Sequence, residues 1–186
     1  MTVFDKIRLI LFIAATAALV FISWRTILNY RSHGFFRFLA WEAITALILW
    51  NLPYWFMQPL SPTQIISWIF LIGSLLVLWQ GVSQLSRVKR SGRRQERELY
   101  DFERTSELVT TGIYRHIRHP LYASLLYLAI GAFLKDISWI SFMLMIMAGI
   151  ALYATALADE KECIRFFGDP YKDYMEGTKR FIPYIF

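Results

Sequence analysis

Residues 137–158 read ISWISFMLMIMAGIALYATALA and contain no charged side chain. As a helix this stretch would be about 33 Å long, since each residue adds 1.5 Å, which is enough to cross the hydrocarbon core of a bilayer. The next four residues, 159–162, are all charged and mark its end. The stretch therefore predicts a membrane-spanning helix with a charged segment directly beyond it.

Four further apolar stretches precede this one. The last of them is separated from residues 137–158 by Lys135 and Asp136, which predicts a helical hairpin. The first could instead be a cleaved signal peptide, because Lys6 and Arg8 stand ahead of its apolar run. The membrane-spanning character of the rest of the chain favours a retained span. The four stretches are 7–24, 38–57, 63–85 and 119–134.

We therefore predict an all-α integral membrane protein with five transmembrane helices, folded as a single membrane domain over residues 1–186. Its expected parts are three N-terminal spans (1–85), a basic cytoplasmic loop (86–118), a helical hairpin (119–158) and cytoplasmic C-terminal helices (159–186).

The composition agrees with a membrane protein. Hydrophobic residues make up 56% of the chain and charged residues 18%, and the mean hydropathy is +0.40. Soluble domains average about 45–50% hydrophobic residues and about 25% charged residues. These values exclude a disordered protein and an ordinary water-soluble enzyme, and the single cysteine, Cys163, excludes a disulfide scaffold.

The positive charges predict the orientation of the chain. The net charge is +6, and with five alternating spans 17 of the 20 Lys and Arg residues fall on one side. Because positive charge accumulates on the cytoplasmic side, we expect the N-terminus outside and the C-terminus in the cytoplasm. The compact chain favours a prokaryotic plasma membrane.

A basic run, RVKRSGRR at 87–94, lies in the expected cytoplasmic loop. Proteins that bind single-stranded nucleic acid place aromatic side chains among their cations, and none interleaves here. The run therefore predicts contact with anionic lipid headgroups and no nucleic-acid partner.

Residues 110–122, TTGIYRHIRHPLY, carry the densest cluster of reactive side chains. Pro120 suits the first turn of a helix, where its missing N–H is not needed. A collar of positive charge at the end of a span explains Arg115 and Arg118. It does not explain two histidines and two tyrosines beside a glycine turn, which favour a binding site.

Carboxylates follow the apolar stretch at Asp159, Glu160 and Glu162. Charges at the edge of a membrane are costly unless they are solvated or paired. We expect Asp159 or Glu160 to contact a cationic ligand, and Glu162 to be solvated. Within the second apolar stretch, Glu42 and Asn51 either line a cavity or bond to a neighbouring helix.

Other kinds of site are not indicated. The three histidines and Cys163 lack the spacing of a zinc site, so no metal is expected. The chain has no G-x-G-x-x-G dinucleotide motif, no P-loop and no nucleophile elbow.

Two parts of the chain resemble one family. LVTTGIY (108–114) and RHPLY (118–122) resemble the first signature of the isoprenylcysteine carboxyl methyltransferase and phospholipid methyltransferase superfamily. The pair Asp159-Glu160 begins a stretch that resembles its C-terminal signature, which continues with Phe167, Gly168, Tyr171, Tyr174, Arg180 and Pro183. The resemblance implies S-adenosylmethionine as cofactor, a lipid-like or lipidated acceptor entering from the bilayer, and a cytoplasmic cofactor pocket built from residues 99–122 and 158–186.

The resemblance also implies roles for individual residues. For an amine acceptor Glu160 or His116 would take the proton, and Arg118 or His119 would offset the cofactor's carboxylate. Glu160, His116 and Arg118 are thus the expected catalytic residues. The expected cofactor contacts are Ser106, Glu107, Leu108, Val109, Tyr114, His119, Pro120, Leu121, Tyr122, Asp159 and Glu160.

Departures from the family pattern leave alternatives open. Asp159-Glu160 stands in place of a Glu-Glu pair, and Thr155 stands near the position where isoprenylcysteine enzymes have an arginine. Cys163 and the ending RFIPYIF (180–186) are also similar to membrane sterol reductases, which use NADPH. A non-enzymatic membrane protein is the third possibility.

Overall fold

The computed structural model describes residues 3–30, 32–87 and 107–183. This described part is helical and contains no β-strand. Two short 3₁₀ turns, Leu52–Tyr54 and Gly112–Arg115, lie between the longer helices. The α-helices are α1 (Val3–Ile27), α2 (His33–Trp50), α3 (Pro62–Arg87), α4 (Pro120–Phe133), α5 (Trp139–Phe167) and α6 (Asp169–Gly177).

The prediction of an all-helical membrane protein is confirmed. Helices α1, α3 and α5 are long and apolar enough to cross a bilayer by length and composition. Helix α2 has 18 residues but includes Arg37 and Glu42, and α4 has only 14 residues. The crossings by α2 and α4, and the orientation of the chain, stay predictions.

Two helices differ from the expected stretches. Helix α2 ends at Trp50, ahead of the expected end at 57, because Pro53 has no N–H to continue a helix. Helix α5 continues without a break past residue 158 to Phe167, so the carboxylates at 159–162 lie on the spanning helix itself. Gly168 ends α5 with a φ of 69°, a conformation that glycine adopts readily.

Helices α2, α4 and α5 enclose the core of the bundle. Small side chains allow their backbones to approach closely, as in membrane helix interfaces generally. The alanines buried there are Ala40, Ala43, Ala123, Ala129, Ala132, Ala148, Ala151 and Ala156.

The polar residues of the second apolar stretch bond to neighbouring helices. Glu42 Oε2 accepts a hydrogen bond from Thr16 Oγ1 of α1 at 2.9 Å. Asn51 Nδ2 donates to the carbonyl oxygen of Ala132, at the end of α4, at 2.8 Å. Helix α1 therefore packs on the bundle through a polar contact, and Asn51 joins α2 to α4.

Candidate functional site

A cleft of about 680 Å³, including the open space at its mouth, lies where the start of α4 meets the end of α5 and α6. Its wall combines apolar, aromatic and charged side chains from four segments. The lining residues are Leu85, Glu107, Leu108, Val109, Tyr114, Arg118, His119, Pro120, Leu121, Tyr122, Asp159, Cys163, Phe167, Tyr171 and Tyr174.

The segment before α4 is held in place by the C-terminal tail. Arg118 N donates to Lys179 O at 2.7 Å and His119 N donates to Arg180 O at 3.1 Å, while Lys179 N donates to His116 O at 3.2 Å. These bonds pair the two segments in parallel, as in a short β-bridge. The backbone N–H groups just ahead of α4, which have no partner within the helix, find acceptors in this way. The side chains of Arg118 and His119 are thereby fixed at the start of α4.

A glycine turn orients Tyr114 toward the cleft. Gly112 has a φ of 61°, and a Cβ there would lie 2.5 Å from Gln84 Nε2 of α3, so the position needs glycine on both counts. The turn that follows buries Tyr114, whose carbonyl oxygen accepts a hydrogen bond from Tyr174 Oη at 2.6 Å. Helix α4 begins at Pro120, as the sequence predicts.

Glu160 is buried in a network of cations and does not line the cleft. Its side chain is 5% exposed. Oε1 accepts hydrogen bonds from Arg118 Nε and Arg180 Nε, both at 3.0 Å, and Oε2 accepts from Arg180 Nη2 at 3.0 Å. Arg118 also donates to the carbonyl oxygens of Met175 and Thr178. Glu160 thus ties α5 to the segment before α4 and to the tail.

Asp159 is one of two carboxylates on the cleft wall among the described residues, the other being Glu107. Its Oδ2 accepts a hydrogen bond from Tyr122 Oη at 3.2 Å and lies 3.5 Å from His119 Nδ1. Cys163 Sγ, one turn further along α5, lies 3.6 Å from Oδ1. Unlike Glu160, Asp159 lines the cleft.

His119 lies between the two carboxylates. Its Nδ1 faces Asp159, and its Nε2 lies 3.4 Å from Glu160 Oε1. The ring stacks on that of Tyr122, with centroids 5.4 Å apart. Burial by itself lowers the pKa of His119, but hydrogen bonds and charge from Asp159 and Glu160 outweigh it and raise the pKa above its usual value. The imidazole is therefore more readily protonated than a solvated one.

The structure brings most of the predicted site residues together. Nine of the eleven expected cofactor contacts line the cleft, and Glu160 lies behind the wall. Ser106 lies outside the described residues, as do most of the basic run and residues 99–105. Of the other expected catalytic residues, Arg118 lines the cleft, whereas His116 is exposed and does not.

The expectation that Glu162 is solvated was wrong. Its Oε2 lies 2.6 Å from His33 Nδ1, its Oε1 accepts from the backbone N–H of His33 at 3.2 Å, and its side chain is 17% exposed. Glu162 therefore binds the N-terminal end of α2, where a negative charge interacts favourably with the helix dipole.

Five residues of the cleft wall were not among the expected cofactor contacts or catalytic residues, although Phe167, Tyr171 and Tyr174 belong to the C-terminal signature. Cys163 and Phe167 follow Asp159 at intervals of four, so helical periodicity could have placed them on the same face of α5. Tyr171 and Tyr174 share a face of α6 by the same rule, and burial raises the pKa of both phenols, which stay neutral. Leu85 comes from α3 and had no local signal.

Fold and site together define a multi-pass membrane protein with an aromatic-lined, charged cleft at one end of its helical bundle. Residues 68–169, more than half of the chain, match the family model described as phospholipid methyltransferase, and the chain belongs to this family. The chain is also 25% identical, over 122 residues, to the protein-S-isoprenylcysteine O-methyltransferase of Xenopus laevis. That alignment covers 64% of this chain and 42% of the relative. The family match does not favour the sterol-reductase alternative.

Proposed function

We propose that this chain is an S-adenosylmethionine-dependent methyltransferase that acts on a lipid or lipidated acceptor at the membrane. The observation that carries the proposal is Asp159, a carboxylate on the wall of a cleft otherwise rich in aromatic side chains. Most of this cleft lies within the segment that matches the family. The acceptor class is supported by the family description, by the name of the relative and by the apolar helices around the cleft.

The lining residues fit the chemistry of this cofactor. A sulfonium or ammonium cation interacts favourably with a carboxylate and with the faces of aromatic rings, and Asp159 has Tyr122 beside it and Phe167 two turns away on α5. Arg118 and His119 offer positive charge for a carboxylate group.

The residues of the chain would act mainly by positioning and by excluding water. When bound, the cofactor supplies a methyl group already activated for in-line transfer. Asp159 would hold the cationic end, with Tyr122 Oη and His119 fixing the orientation of its carboxylate. Glu160 would act as a positioning residue, because it holds Arg118 and Arg180 in place.

The proton balance depends on the acceptor. A carboxylate acceptor needs no base, whereas a protonated amine must lose a proton before it can attack. His116 is exposed and Glu160 is already paired with two arginines, so neither expected base borders the cleft.

The apolar part of the acceptor would lie beside Leu85 of α3 and Leu121 of α4, which border the cleft on its membrane side. Thr155, near the position of the family arginine, is fully buried and donates to Ala151 O at 2.7 Å. It therefore offers no positive charge to an isoprenylcysteine carboxylate, and a phospholipid-like acceptor is the better match. A prokaryotic plasma membrane remains the proposed location.

Calorimetric titration of the purified protein in detergent tests the cofactor. We expect binding of S-adenosylhomocysteine and none of NADPH. Asp159→Asn keeps the shape of the side chain but removes its charge, and loss of one charged interaction should weaken binding about ten- to a hundredfold. Asp173→Asn, on the exposed side of α6, is the matched control and should leave affinity unchanged.

Either of two results would contradict the proposal. One is wild-type affinity for S-adenosylhomocysteine in Asp159→Asn. The other is a folded wild-type protein that does not bind S-adenosylhomocysteine. If that protein bound NADPH, the result would support the reductase alternative.

A further inference from the structure

A buried cation lies at the end of the bundle opposite the cleft. Lys135, in the loop between α4 and α5, is 4% exposed. Its Nζ donates a hydrogen bond to Gln64 Oε1 at 3.0 Å and lies 3.7 Å from the ring centroid of Trp68. Gln64 Nε2 in turn donates to Lys135 O at 3.0 Å, so α3 fixes this lysine through both its side chain and its backbone.

None of the carboxylates in the described part of the chain compensates the charge of Lys135. Within residues 3–30, 32–87 and 107–183, no carboxylate oxygen lies within 4.0 Å of its Nζ. Burial lowers its pKa, and no neighbouring carboxylate raises it in return. A buried charge is costly unless it is paired. The amide of Gln64 and the face of Trp68 reduce this cost, but neither supplies a negative charge.

A buried indole N–H close to Lys135 has no hydrogen-bond partner among the described residues. Trp55 Nε1 is buried and has no hydrogen-bond acceptor in the described part of the chain. Trp55 meets the ring of Trp68 edge-on at 6.4 Å, and its own ring centroid is 5.5 Å from Lys135 Nζ. Buried indole N–H groups usually find an acceptor. Two neighbouring donors thus lack an anion.

Lys135 lines a pocket with further hydrogen-bonding groups. The pocket has a volume of about 680 Å³, including open space. Just outside it, Phe56 and Leu60 are 77% and 85% exposed, as expected of side chains in contact with lipid. The polar lining residues besides Lys135 are Tyr54, Gln58, Ser61, Thr63, Gln64 and Asp136.

We propose that this pocket binds the phosphodiester of an anionic phospholipid headgroup, in the leaflet opposite the candidate cofactor cleft. Lys135 supplies the compensating charge, and the hydroxyl and amide groups around it supply hydrogen bonds to phosphate oxygens. Asp136, in the same pocket, disfavours a multiply charged ligand and so favours a diester over a free phosphate. The exposed Phe56 and Leu60 contact the acyl chains. This site is separate from the proposed function.

Thermal unfolding of the full chain in a neutral detergent tests the site. We expect dioctanoyl phosphatidylglycerol to raise the Tm in a saturable manner and dioctanoylglycerol, which lacks the phosphate, to leave it unchanged. Lys135→Met should weaken phosphatidylglycerol binding about tenfold or more. Tyr54→Phe removes a hydroxyl group that lines the pocket, and should weaken binding about two- to tenfold.

Lys172→Met is the control, because it removes the same charge from an exposed residue of α6. It should bind phosphatidylglycerol like the wild type. Equal affinity in the wild type, Lys135→Met and Tyr54→Phe would overturn the proposal, as would equal stabilisation by dioctanoylglycerol. If inorganic phosphate alone raised the Tm and the phospholipid did not, the assignment of the ligand as a lipid would be overturned. If Lys135→Met does not fold, Tyr54→Phe decides, and its unchanged binding of S-adenosylhomocysteine separates this test from that of the proposed function.

Discussion

Asp159, Glu160 and Glu162 lie within four residues of one helix, yet each contacts a different part of the molecule. Successive residues of an α-helix are about 100° apart, so neighbours in sequence face different surroundings. Asp159 faces the cleft, Glu160 faces Arg118 and Arg180, and Glu162 faces His33. The three carboxylates therefore differ in their contacts because of the direction in which each one points.

Replacing Glu160 by Gln tests its structural role. The change would leave two guanidinium groups without their anion, and we expect a loss of about 3 kcal/mol in the free energy of unfolding, because Arg180 is partly solvated and water compensates in part. Chemical unfolding in mixed micelles measures the loss. Asp169→Asn, which breaks the exposed pair with Lys172, should cause no measurable change. Equal stability of Glu160→Gln and the wild type would show that the buried network is not needed for folding.

At the scale of elements, α4 is short because side chains from two other helices bind its end. Asn51 donates to the carbonyl oxygens of Ala132 and Asp136, and Ser67 Oγ donates to Gly131 O at 2.7 Å. A helix of 14 residues spans about 21 Å, less than the hydrocarbon core. Non-helical backbone is tolerated within the hydrocarbon core when protein side chains satisfy its hydrogen bonds, as Asn51, Gln64 and Ser67 do here.

The close contact between α3 and α4 predicts different effects for two glycine substitutions. A Cβ at Gly131 would lie 2.8 Å from Leu71 Cγ and 3.1 Å from the backbone oxygen of Ser67. Gly131→Ala should therefore force the helices apart, at a cost of about 1–3 kcal/mol. A Cβ at Gly149 would lie 3.9 Å from its nearest neighbour, which is an ordinary contact. Gly149→Ala should therefore be as stable as the wild type. Parallel thermal unfolding of both variants checks this, and equal Tm values would argue against tight α3–α4 packing.

At the scale of the whole molecule, positive charge is concentrated at the end that carries the cleft. Arg118, Arg165 and Arg180 lie there, and Glu162 brings the start of α2, with Arg37, to the same end. Lys135 lies at the opposite end, beside the start of α3. This distribution agrees with a cytoplasmic cleft, and within the described residues three helices meet the length and composition of a span.

Five crossings place the two termini on opposite sides of the membrane, and reporter fusions test this prediction. Alkaline phosphatase needs disulfides and is active only outside the cytoplasm. We expect it to be inactive when fused after residue 186 and active when fused ahead of residue 1. A C-terminal green fluorescent protein should fluoresce. Active phosphatase at the C-terminus would show an even number of crossings or the reverse orientation.

Local features of the sequence were sufficient to predict much of the fold and of the site. The apolar stretches, the hairpin around Lys135-Asp136 and the start of α4 at Pro120 depend on hydropathy and on the geometry of a proline. Two segments that form the cleft wall, 107–122 and the end of α5, carry motifs that resemble a family. The match to the family model over residues 68–169 agrees with this resemblance. Each of these signals is contained within about twenty consecutive residues.

Only the tertiary structure decided how neighbouring polar groups divide their roles. Whether Asp159 or Glu160 borders the cleft depends on the pairing of the tail with residues 116–119, which brings Arg180 to Glu160. The burial of Lys135 depends on Trp55 and on α3, more than fifty residues earlier in the chain. The physical reason is that hydropathy and helix geometry are properties of adjacent residues, whereas the partner of a buried charge is set by which helix faces meet.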